Sequence, residues 1–191
     1  MQIEYEATFA DIDKEEMRKK LQEIGAVLVR PEFLQRRVTF NFPTGHENPN
    51  GWLRVRDEKD KITMTIKIVD GGKIENQKEI TLNVDSFDEA IEFLSTVGCQ
   101  KKSYQETKRE LWKLDDVEIM IDEWPFLEPY VEVEGKSEKA VRIVSEKIGF
   151  DYKDAFFGCV SPLYAKKYNI TEELINNHIP EITFQGKNPF L

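Results

Sequence analysis

The chain has 191 residues, of which 40% are hydrophobic and 33% are charged, and its formal net charge is -9. This length and composition predict one folded unit whose hydrophobic core needs no disulfide or metal for stability. The excess of acidic residues does not favour long-range attraction to nucleic acid or to an anionic membrane, so a polyanion would require a local basic cluster.

The predicted elements begin with a strand, a helix and a second strand, over residues 3–8, 13–24 and 35–42. In the first strand Glu4, Glu6 and Thr8 share one face and apolar side chains share the other, because strand side chains alternate. The helix begins at a capping residue, Asp13, and ends before Gly25. The segment "FPTGHENPNG" predicts a long surface loop after the second strand.

The middle of the chain predicts three strands and a second helix. Strand "WLRVR" places Arg54 and Arg56 on one face, "KITMTIKI" places Lys67 on its polar face, and a third strand covers residues 74–84. Short polar turns such as "DEKDK" favour antiparallel hairpins between neighbouring strands. The helix covers residues 86–97, between Ser86 as the capping residue and Gly98 as the stop.

The last predicted elements are three strands, a third helix and a tail. A strand over residues 104–114 carries Arg109, "VEIMID" carries Asp122, and "YVEVEG" carries Glu132 and Glu134. The third helix follows Ser137 and ends at a glycine, residue 149. The segment "IPEITFQGKNPFL" predicts an irregular C-terminal tail that docks through its apolar residues.

About eight antiparallel strands with three helices predict an α+β fold, either a sandwich or a closed barrel, and closure leaves no unpaired edge. The strand faces leave two arrangements open. If the apolar faces pack outward against the helices, the charged faces line a polar tunnel. If the apolar faces point inward, the charged side chains are simply solvated.

The charged strand faces supply two groups of candidate site residues. The acids are Glu4, Glu6, Asp122, Glu132 and Glu134, and the bases are Arg54, Arg56, Lys67 and Arg109. Each pair alone is typical of a solvated sheet face. Both signs in one lumen would suit a metal-bound polyphosphate, because carboxylates are ligands of Mg²⁺ or Mn²⁺ and basic side chains neutralise phosphate oxygens. With only two cysteines and two histidines in the chain, a zinc site is not predicted.

The order of these motifs resembles the CYTH superfamily, the triphosphate tunnel metalloenzymes, over roughly residues 1–168. This family includes thiamine triphosphatases, inorganic triphosphatases and class IV adenylyl cyclases. Its E-x-E-x-K strand is similar to "EYEAT", its R-x-R strand to "RVR", its second basic strand to "KRELW", and its acidic strands to "MID" and "VEVEG". The resemblance implies an eight-stranded antiparallel β-barrel, a tunnel with a polar, charged lumen and helices packed outside. The implied tunnel domain covers residues 1–170, and residues 171–191 form a C-terminal helix and tail that dock on the barrel.

The resemblance also implies a role for each candidate side chain. The implied phosphate ligands are Arg54, Arg56, Lys67 and Arg109. The implied ligands of the metal, Mg²⁺ or Mn²⁺, are Glu4, Glu6, Asp122, Glu132 and Glu134. The implied catalytic residues are Glu4, Glu6 and Lys67. Glu79 in "QKEIT" is either a further acid of the site or an exposed strand residue. Lys166 and Lys167 in "SPLYAKKY" either reach the tunnel mouth or are solvated.

Two positions depart from the family pattern. Thr8 stands where the motif has lysine, and Thr107 stands where many members have a basic residue, two positions before Arg109. A threonine hydroxyl donates a hydrogen bond but carries no charge. Both departures weaken the predicted phosphate-binding field, and they put catalysis in question more than the fold.

The predicted function is metal-dependent hydrolysis of a triphosphate, with inorganic, nucleoside or thiamine triphosphate as the substrate. Two alternatives stay open: a class IV adenylyl cyclase that converts ATP to cyclic AMP and pyrophosphate, and a non-catalytic module that binds nucleotides or polyphosphate. An apolar-ligand carrier is disfavoured, because the charged pairs would then face outward on every strand.

The expected partner is a small-molecule triphosphate, with neither nucleic acid nor membrane, and the expected state is a monomer or homodimer. No apolar stretch approaches the roughly 18 residues of a membrane-spanning helix, and the start "MQIEYE" lacks the features of a signal peptide. We therefore expect a cytoplasmic location.

Overall fold

The computed structural model describes residues 1–191 and contains ten strands and five helices. The strands are β1 (Gln2–Ile3), β2 (Tyr5–Phe9), β3 (Val27–Asn41), β4 (Gly51–Asp57), β5 (Ile62–Val69), β6 (Gln77–Val84), β7 (Gln100–Leu114), β8 (Val117–Glu123), β9 (Tyr130–Gly135) and β10 (Glu181–Ile182). The helices are α1 (Lys14–Glu23), α2 (Phe87–Thr96), α3 (Glu138–Ile148), α4 (Ser161–Tyr168) and α5 (Glu172–Asn177). None of the five helices has the length and apolar character that crossing a membrane requires.

The strands form one sheet that closes into a barrel. Neighbours in the order β1-β6-β5-β4-β3-β7-β8-β9-β2 pair antiparallel. β1 and β2 are two halves of one N-terminal strand, and they pair with opposite ends of the sheet, β1 with β6 and β2 with β9. The backbone N–H of Glu4, between the halves, donates to the Gln77 carbonyl at 3.0 Å. Because β1 and β2 count as one strand, the predicted eight-stranded antiparallel barrel is confirmed.

The apolar faces of the strands point away from the barrel axis and pack against the helices. α1 and α3 cover β2, β8 and β9, where a core of 17 buried residues includes Leu21, Ile119 and Val141. α2 covers β3 and β4 through a second cluster, in which Leu94 packs near Val55. Burying these faces outside the barrel leaves the alternating polar faces to line its interior. Of the two arrangements that the sequence left open, the polar tunnel is the one observed.

Local capping signals set the helix boundaries as predicted. The side chains of Asp13, Ser86 and Ser137 each accept a hydrogen bond from the backbone N–H three residues later, at 2.9, 3.2 and 3.3 Å. These bonds satisfy N–H groups that the first helical turn leaves without partners. At the end of α3, Gly149 adopts the left-handed conformation, φ +104°, that a side chain at this position would strain.

Three strand boundaries differ from the predictions. β3 begins at Val27 instead of residue 35, and β7 begins at Gln100 instead of residue 104. The early part of β3 contains Pro31, which donates no ladder hydrogen bond, and the register between β3 and β7 shifts on both sides of Arg30. The strand predicted from residue 74 starts at residue 77, because Ile74–Asn76 forms a short 3-10 turn.

The C-terminal segment packs beside the barrel. β10 pairs in parallel with β7, and it is the only regular element within the tail that the sequence predicted to be irregular. Tyr164 of α4 is fully buried, and its hydroxyl donates to the carbonyl of Pro125 at 2.7 Å. Phe190 stacks on the Tyr164 ring with 4.4 Å between ring centroids. Tyr164 and Ile182 also line the barrel cavity, so this segment contributes to the wall of that cavity.

Candidate functional site: a charged tunnel

The barrel encloses a cavity of about 1290 Å³, called the lumen below. This volume exceeds the roughly 300–1,000 Å³ of ordinary small-molecule pockets. All of the site residues predicted from the sequence line the lumen: Glu4, Glu6, Arg54, Arg56, Lys67, Arg109, Asp122, Glu132 and Glu134. The closed sheet therefore brings together side chains that lie far apart in the sequence.

Charge divides the lumen into two walls that each occupy neighbouring strands. The basic wall belongs to β5, β4, β3 and β7 and includes Lys67, Arg56, Arg54, Arg37 and Arg109. The acidic wall belongs to β8, β9, the N-terminal strand and β6 and consists of Asp122, Glu118, Glu132, Glu134, Glu6, Glu4 and Glu79. No lysine or arginine occurs in β2, β8 or β9. A ligand in the lumen would meet positive charge on one side and negative charge on the other.

Ion pairs join the two walls where they meet at β7 and β8. Arg109 Nε donates to Asp122 Oδ1 at 2.8 Å, and the same guanidinium contacts Glu132. Burial alone would lower the pKa of Arg109, but the Asp122 and Glu132 carboxylates outweigh it and raise this pKa well above its ordinary value. Arg109 is therefore firmly charged and committed to two acids.

A second group of ion pairs surrounds Lys67. Its Nζ lies 2.5 Å from Glu4 Oε2 and 3.5 Å from Glu6 Oε1. Burial lowers the pKa of Lys67, but the charges of Glu6 and Glu4 more than compensate and hold this pKa above its ordinary value. Lys67 is therefore a buried cation that reaches from the basic wall to the acidic wall.

Three acids of the acidic wall lie close enough to share one metal ion. Glu4, Glu6 and Glu134 each offer a carboxylate oxygen, and these oxygens lie within 4.8 Å of one another. Burial, with added repulsion from neighbouring carboxylates, raises the pKa values of Glu6 and Glu134 to about 7 each. A divalent cation would relieve this repulsion, and a donor set made only of carboxylate oxygens fits Mg²⁺ or Mn²⁺.

The other two predicted metal ligands are placed differently. Asp122 and Glu132 contact Arg109 and lie outside the three-acid group. Glu132 lies two residues before Glu134 on the same face of β9, and burial, followed by the charges of Glu6 and Asp122, raises the pKa of Glu132 to about 8. Metal coordination by Asp122 and Glu132 stays a prediction.

Arg37 on the basic wall and Glu118 on the acidic wall are lumen residues that sequence reasoning missed. Arg37 lies on β3, directly opposite Arg56 of β4 in the antiparallel register, and only 6% of its surface is exposed. A signal was present in "QRRVTF", because the buried apolar pair Val38 and Phe40 places Arg37 on the opposite, lumen-facing side. The neighbouring arginine in this motif, Arg36, points outward and pairs with Asp57, the last residue of β4.

The two threonines that depart from the family pattern lie in different surroundings. Thr8 is buried without lining the lumen, and its backbone N–H donates to the Phe156 carbonyl at 3.0 Å. Thr107 is fully buried, and its hydroxyl accepts a hydrogen bond from Arg37 Nη2 at 2.5 Å. A guanidinium therefore lies beside Thr107, whereas β2 supplies no cation near Thr8.

The three residues left open by the sequence are also placed. Glu79 lines the lumen, opposite Lys67 in the register of β5 and β6. Lys166 and Lys167 are exposed on α4, outside the lumen, and Lys167 Nζ pairs with Glu128 at 2.7 Å. The solvated alternative is therefore the observed one for both lysines.

Apolar and amide side chains extend the lumen beyond the charged walls. The loop over residues 42–50 contributes Phe42, Asn48 and Asn50, and β4 adds Trp52. Trp52 lies opposite Lys67 in the register of β4 and β5. The lumen thus has room for an organic group attached to a charged one.

Comparison with known proteins gives a family and a set of similar folds. The family model described as the CYTH domain matches residues 2–155. No curated protein matches the chain in sequence. A conserved hypothetical protein from Pyrococcus furiosus is 21% identical with a TM-score of 0.69, and the alignment covers 84% of this chain and 99% of that one.

Two further solved structures share the fold at lower sequence identity. A putative adenylate cyclase from Vibrio parahaemolyticus is 11% identical with a TM-score of 0.72, covering 86% of this chain and 98% of that one. A putative adenylyl cyclase from Hippeastrum, described as having a dominant triphosphatase activity, is 12% identical with a TM-score of 0.57, covering 91% and 100%. At sequence identities this low, the similarity to these three structures establishes a shared fold only.

Proposed function

The chain belongs to the CYTH domain family, and on that premise we propose that it hydrolyses a triphosphate in the lumen of the barrel with Mg²⁺ or Mn²⁺ as its cofactor. The substrate is an inorganic, nucleoside or thiamine triphosphate. The observation that carries the proposal is the pair of facing walls, because a metal-bound triphosphate needs cations for its oxygens and carboxylates for its metal.

The basic wall would bind the phosphate chain. Arg54 forms no ion pair and Arg56 pairs only with Glu58, at 2.7 Å, while the Nε atoms of both arginines are buried without hydrogen-bond partners. Guanidinium groups bind phosphate oxygens through two parallel hydrogen bonds, which fixes orientation as well as supplying energy. The two arginines are therefore available to hold the substrate in line for attack by water.

The acidic wall would hold the metal through Glu4, Glu6 and Glu134. A divalent ion at this position would neutralise phosphate oxygens and make the phosphorus more electrophilic. Lys67, which is paired with two of these acids in the free protein, would then be released to contact a phosphate oxygen. Phosphoryl transfer depends mostly on positioning and on stabilising negative charge, and both walls contribute to these two effects.

Hydrolysis is preferred over cyclisation as the reaction. Cyclisation of ATP requires a ribose held so that its hydroxyl attacks phosphorus, whereas hydrolysis requires only access for water. The triphosphatase activity described for the Hippeastrum protein supports this preference. The aromatic and amide groups around Trp52 would accommodate an organic part of the substrate in either reaction.

A second candidate function is metal-assisted binding of a triphosphate without turnover. Thr8 favours it, because this residue is buried and uncharged at the position where the family motif carries a lysine. This candidate uses the same walls and predicts tight binding with no product.

Phosphorus NMR of tripolyphosphate and of ATP, each incubated with the protein and Mg²⁺ or Mn²⁺, tests the proposal. Hydrolysis yields phosphate from both compounds, cyclisation yields pyrophosphate and cyclic AMP from ATP, and a binding module yields neither. The double variant Glu132→Ala/Glu134→Ala and addition of EDTA should each abolish turnover. If the wild type shows no product, turnover by Thr8→Lys would assign the loss to that position.

Binding is tested separately by calorimetry. The double variant Arg54→Ala/Arg56→Ala should lose affinity for tripolyphosphate under all of the functions considered. Unchanged affinity in this variant would refute the assignment of the lumen as a triphosphate site.

A further inference from the structure

Arg37 is a buried cation without a carboxylate partner. Its Nη2 donates to Gln35 Oε1 at 3.0 Å and to Thr107 Oγ1 at 2.5 Å, and its Nε has no partner. The guanidinium carbon of Arg37 lies 4.7 Å from the centre of the Trp124 ring. Unlike Arg36 and Arg56, Arg37 forms no ion pair. The neutral hydrogen bonds and the aromatic face hold the guanidinium in place without compensating its charge.

Two further guanidiniums lie on the adjacent strand. Burial, with the charges of Arg54 and Arg56, lowers the pKa of Arg37 to about 9, so the side chain remains charged at neutral pH. Burial and Arg54 likewise lower the pKa of Arg56 to about 10. The one carboxylate paired with any of these three arginines is Glu58, 2.7 Å from Arg56. Arg37 is buried and Arg54 and Arg56 are half-buried, so three positive charges share one carboxylate. This arrangement is costly in a low-dielectric environment unless an anion joins them.

We infer that Arg37 is a third phosphate-binding arginine of the basic wall, and that Arg37, Arg54 and Arg56 together bind a phosphate group without the metal. The acids that would hold the metal lie on the opposite wall, so the two sites are spatially separate. The inference rests on the proposed function in one respect: the natural ligand of the three arginines is a phosphate group of the triphosphate substrate or of a released product. Anion binding in the absence of metal is a property that the three-acid group alone would not produce.

Isothermal titration of pyrophosphate in EDTA at neutral pH tests this inference. We expect the wild type to bind and Arg37→Gln to bind about 10-fold more weakly or worse, the usual effect of removing a charge-assisted hydrogen bond. Arg36→Gln is the matched control, because Arg36 is the adjacent residue on the opposite face, 52% exposed and paired with Asp57 at 2.8 Å. Its affinity for pyrophosphate should equal that of the wild type.

Arg37→Lys is the second variant, which keeps the charge but loses the planar pair of donors. It should bind pyrophosphate with an affinity between those of the wild type and the glutamine variant. Circular dichroism establishes whether each variant is folded. If Arg37→Gln does not fold, the test uses Arg37→Lys alone: weakened pyrophosphate binding by this variant supports the inference, and unchanged binding overturns it.

Two results overturn the inference: equal pyrophosphate affinity of wild type and Arg37→Gln, or no binding by the wild type in EDTA. Neither result affects the proposed hydrolysis, which is judged by turnover with metal present. Conversely, binding that depends on Arg37 together with an absence of triphosphate turnover would support the inference and refute the proposed hydrolysis.

Discussion

Replacing Arg109 by methionine should strongly destabilise the free protein, because Arg109 is the cation shared by two buried acids. The side chains of Arg109, Asp122 and Glu132 are only 15%, 2% and 13% exposed. Methionine keeps much of the volume of the arginine stem but leaves both carboxylates without a counter-ion. At neutral pH each carboxylate must then be buried unpaired or take up a proton.

The magnitude follows from this burial. Removing one partner of a buried ion pair costs about 3–5 kcal/mol of the free energy of unfolding. For a chain of this size about 1 kcal/mol lowers the midpoint of thermal unfolding by roughly 2–4 °C, so the midpoint should fall by roughly 6–20 °C. Adding Asp122→Asn to Arg109→Met should recover part of the loss, because one of the two uncompensated charges is then removed.

Urea unfolding followed by circular dichroism measures the effect. The matched control is Arg142→Met on α3, whose ion pair with Glu138 at 3.0 Å is about half exposed and should contribute no more than about 1 kcal/mol. If Arg109→Met is no less stable than Arg142→Met, the lumen screens charge as well as bulk water does. Burying an unpaired charge in the lumen would then cost no free energy, and this result would refute the predicted destabilisation.

Two further predictions concern the metal group and the outer core. Glu134→Gln removes one of the three clustered carboxylates and should weaken Mn²⁺ binding, measured by calorimetry, at least roughly tenfold, which is the loss typical of removing an outer-shell partner of a metal ligand. The surface variant Glu128→Gln should leave the Mn²⁺ affinity unchanged. Equal Mn²⁺ affinity in both variants would contradict the assignment. The Leu21 side chain is fully buried between α1 and the barrel, so Leu21→Ala should lower the free energy of unfolding, measured by urea denaturation, by about 2–5 kcal/mol. A loss below about 1 kcal/mol would mean that α1 does not pack against the barrel through Leu21.

Local signals predict α1, α2 and α3 well because each signal acts within a few residues, whereas the shorter α4 and α5 are not predicted from such signals. A capping side chain such as Ser137 and a terminal glycine such as Gly149 bond to the same turn that they delimit. The start of β3 escapes prediction because Pro31 normally argues against an interior strand position. The pairing with β7 tolerates this proline through shifts of register, and such a compensation depends on the partner strand.

The sequence favours barrel closure but does not determine it. Alternation gives each strand two faces, yet it does not decide which face points inward. That choice depends on where the helices pack, and on the N-terminal strand pairing with both β6 and β9. The positions of Glu4 and Glu6 within one lumen follow from this pairing, which joins residues more than 70 positions apart such as Gln2 and Glu79.

The charges of the site illustrate the same limit. The family pattern predicts a lost positive charge at position 107, but Arg37 on the neighbouring strand places its guanidinium against the Thr107 hydroxyl. A motif records which position carries a charge, whereas a phosphate responds to where the charge lies in space, so a loss on one strand can be offset by a gain on the next. At Thr8 the neighbouring strands offer no comparable arginine, because β9, which pairs with its strand, and β8 beyond it contribute acids and no cation to the lumen. The question of catalysis therefore concentrates on Thr8, the departure whose paired strand and the strand beyond it carry no cation.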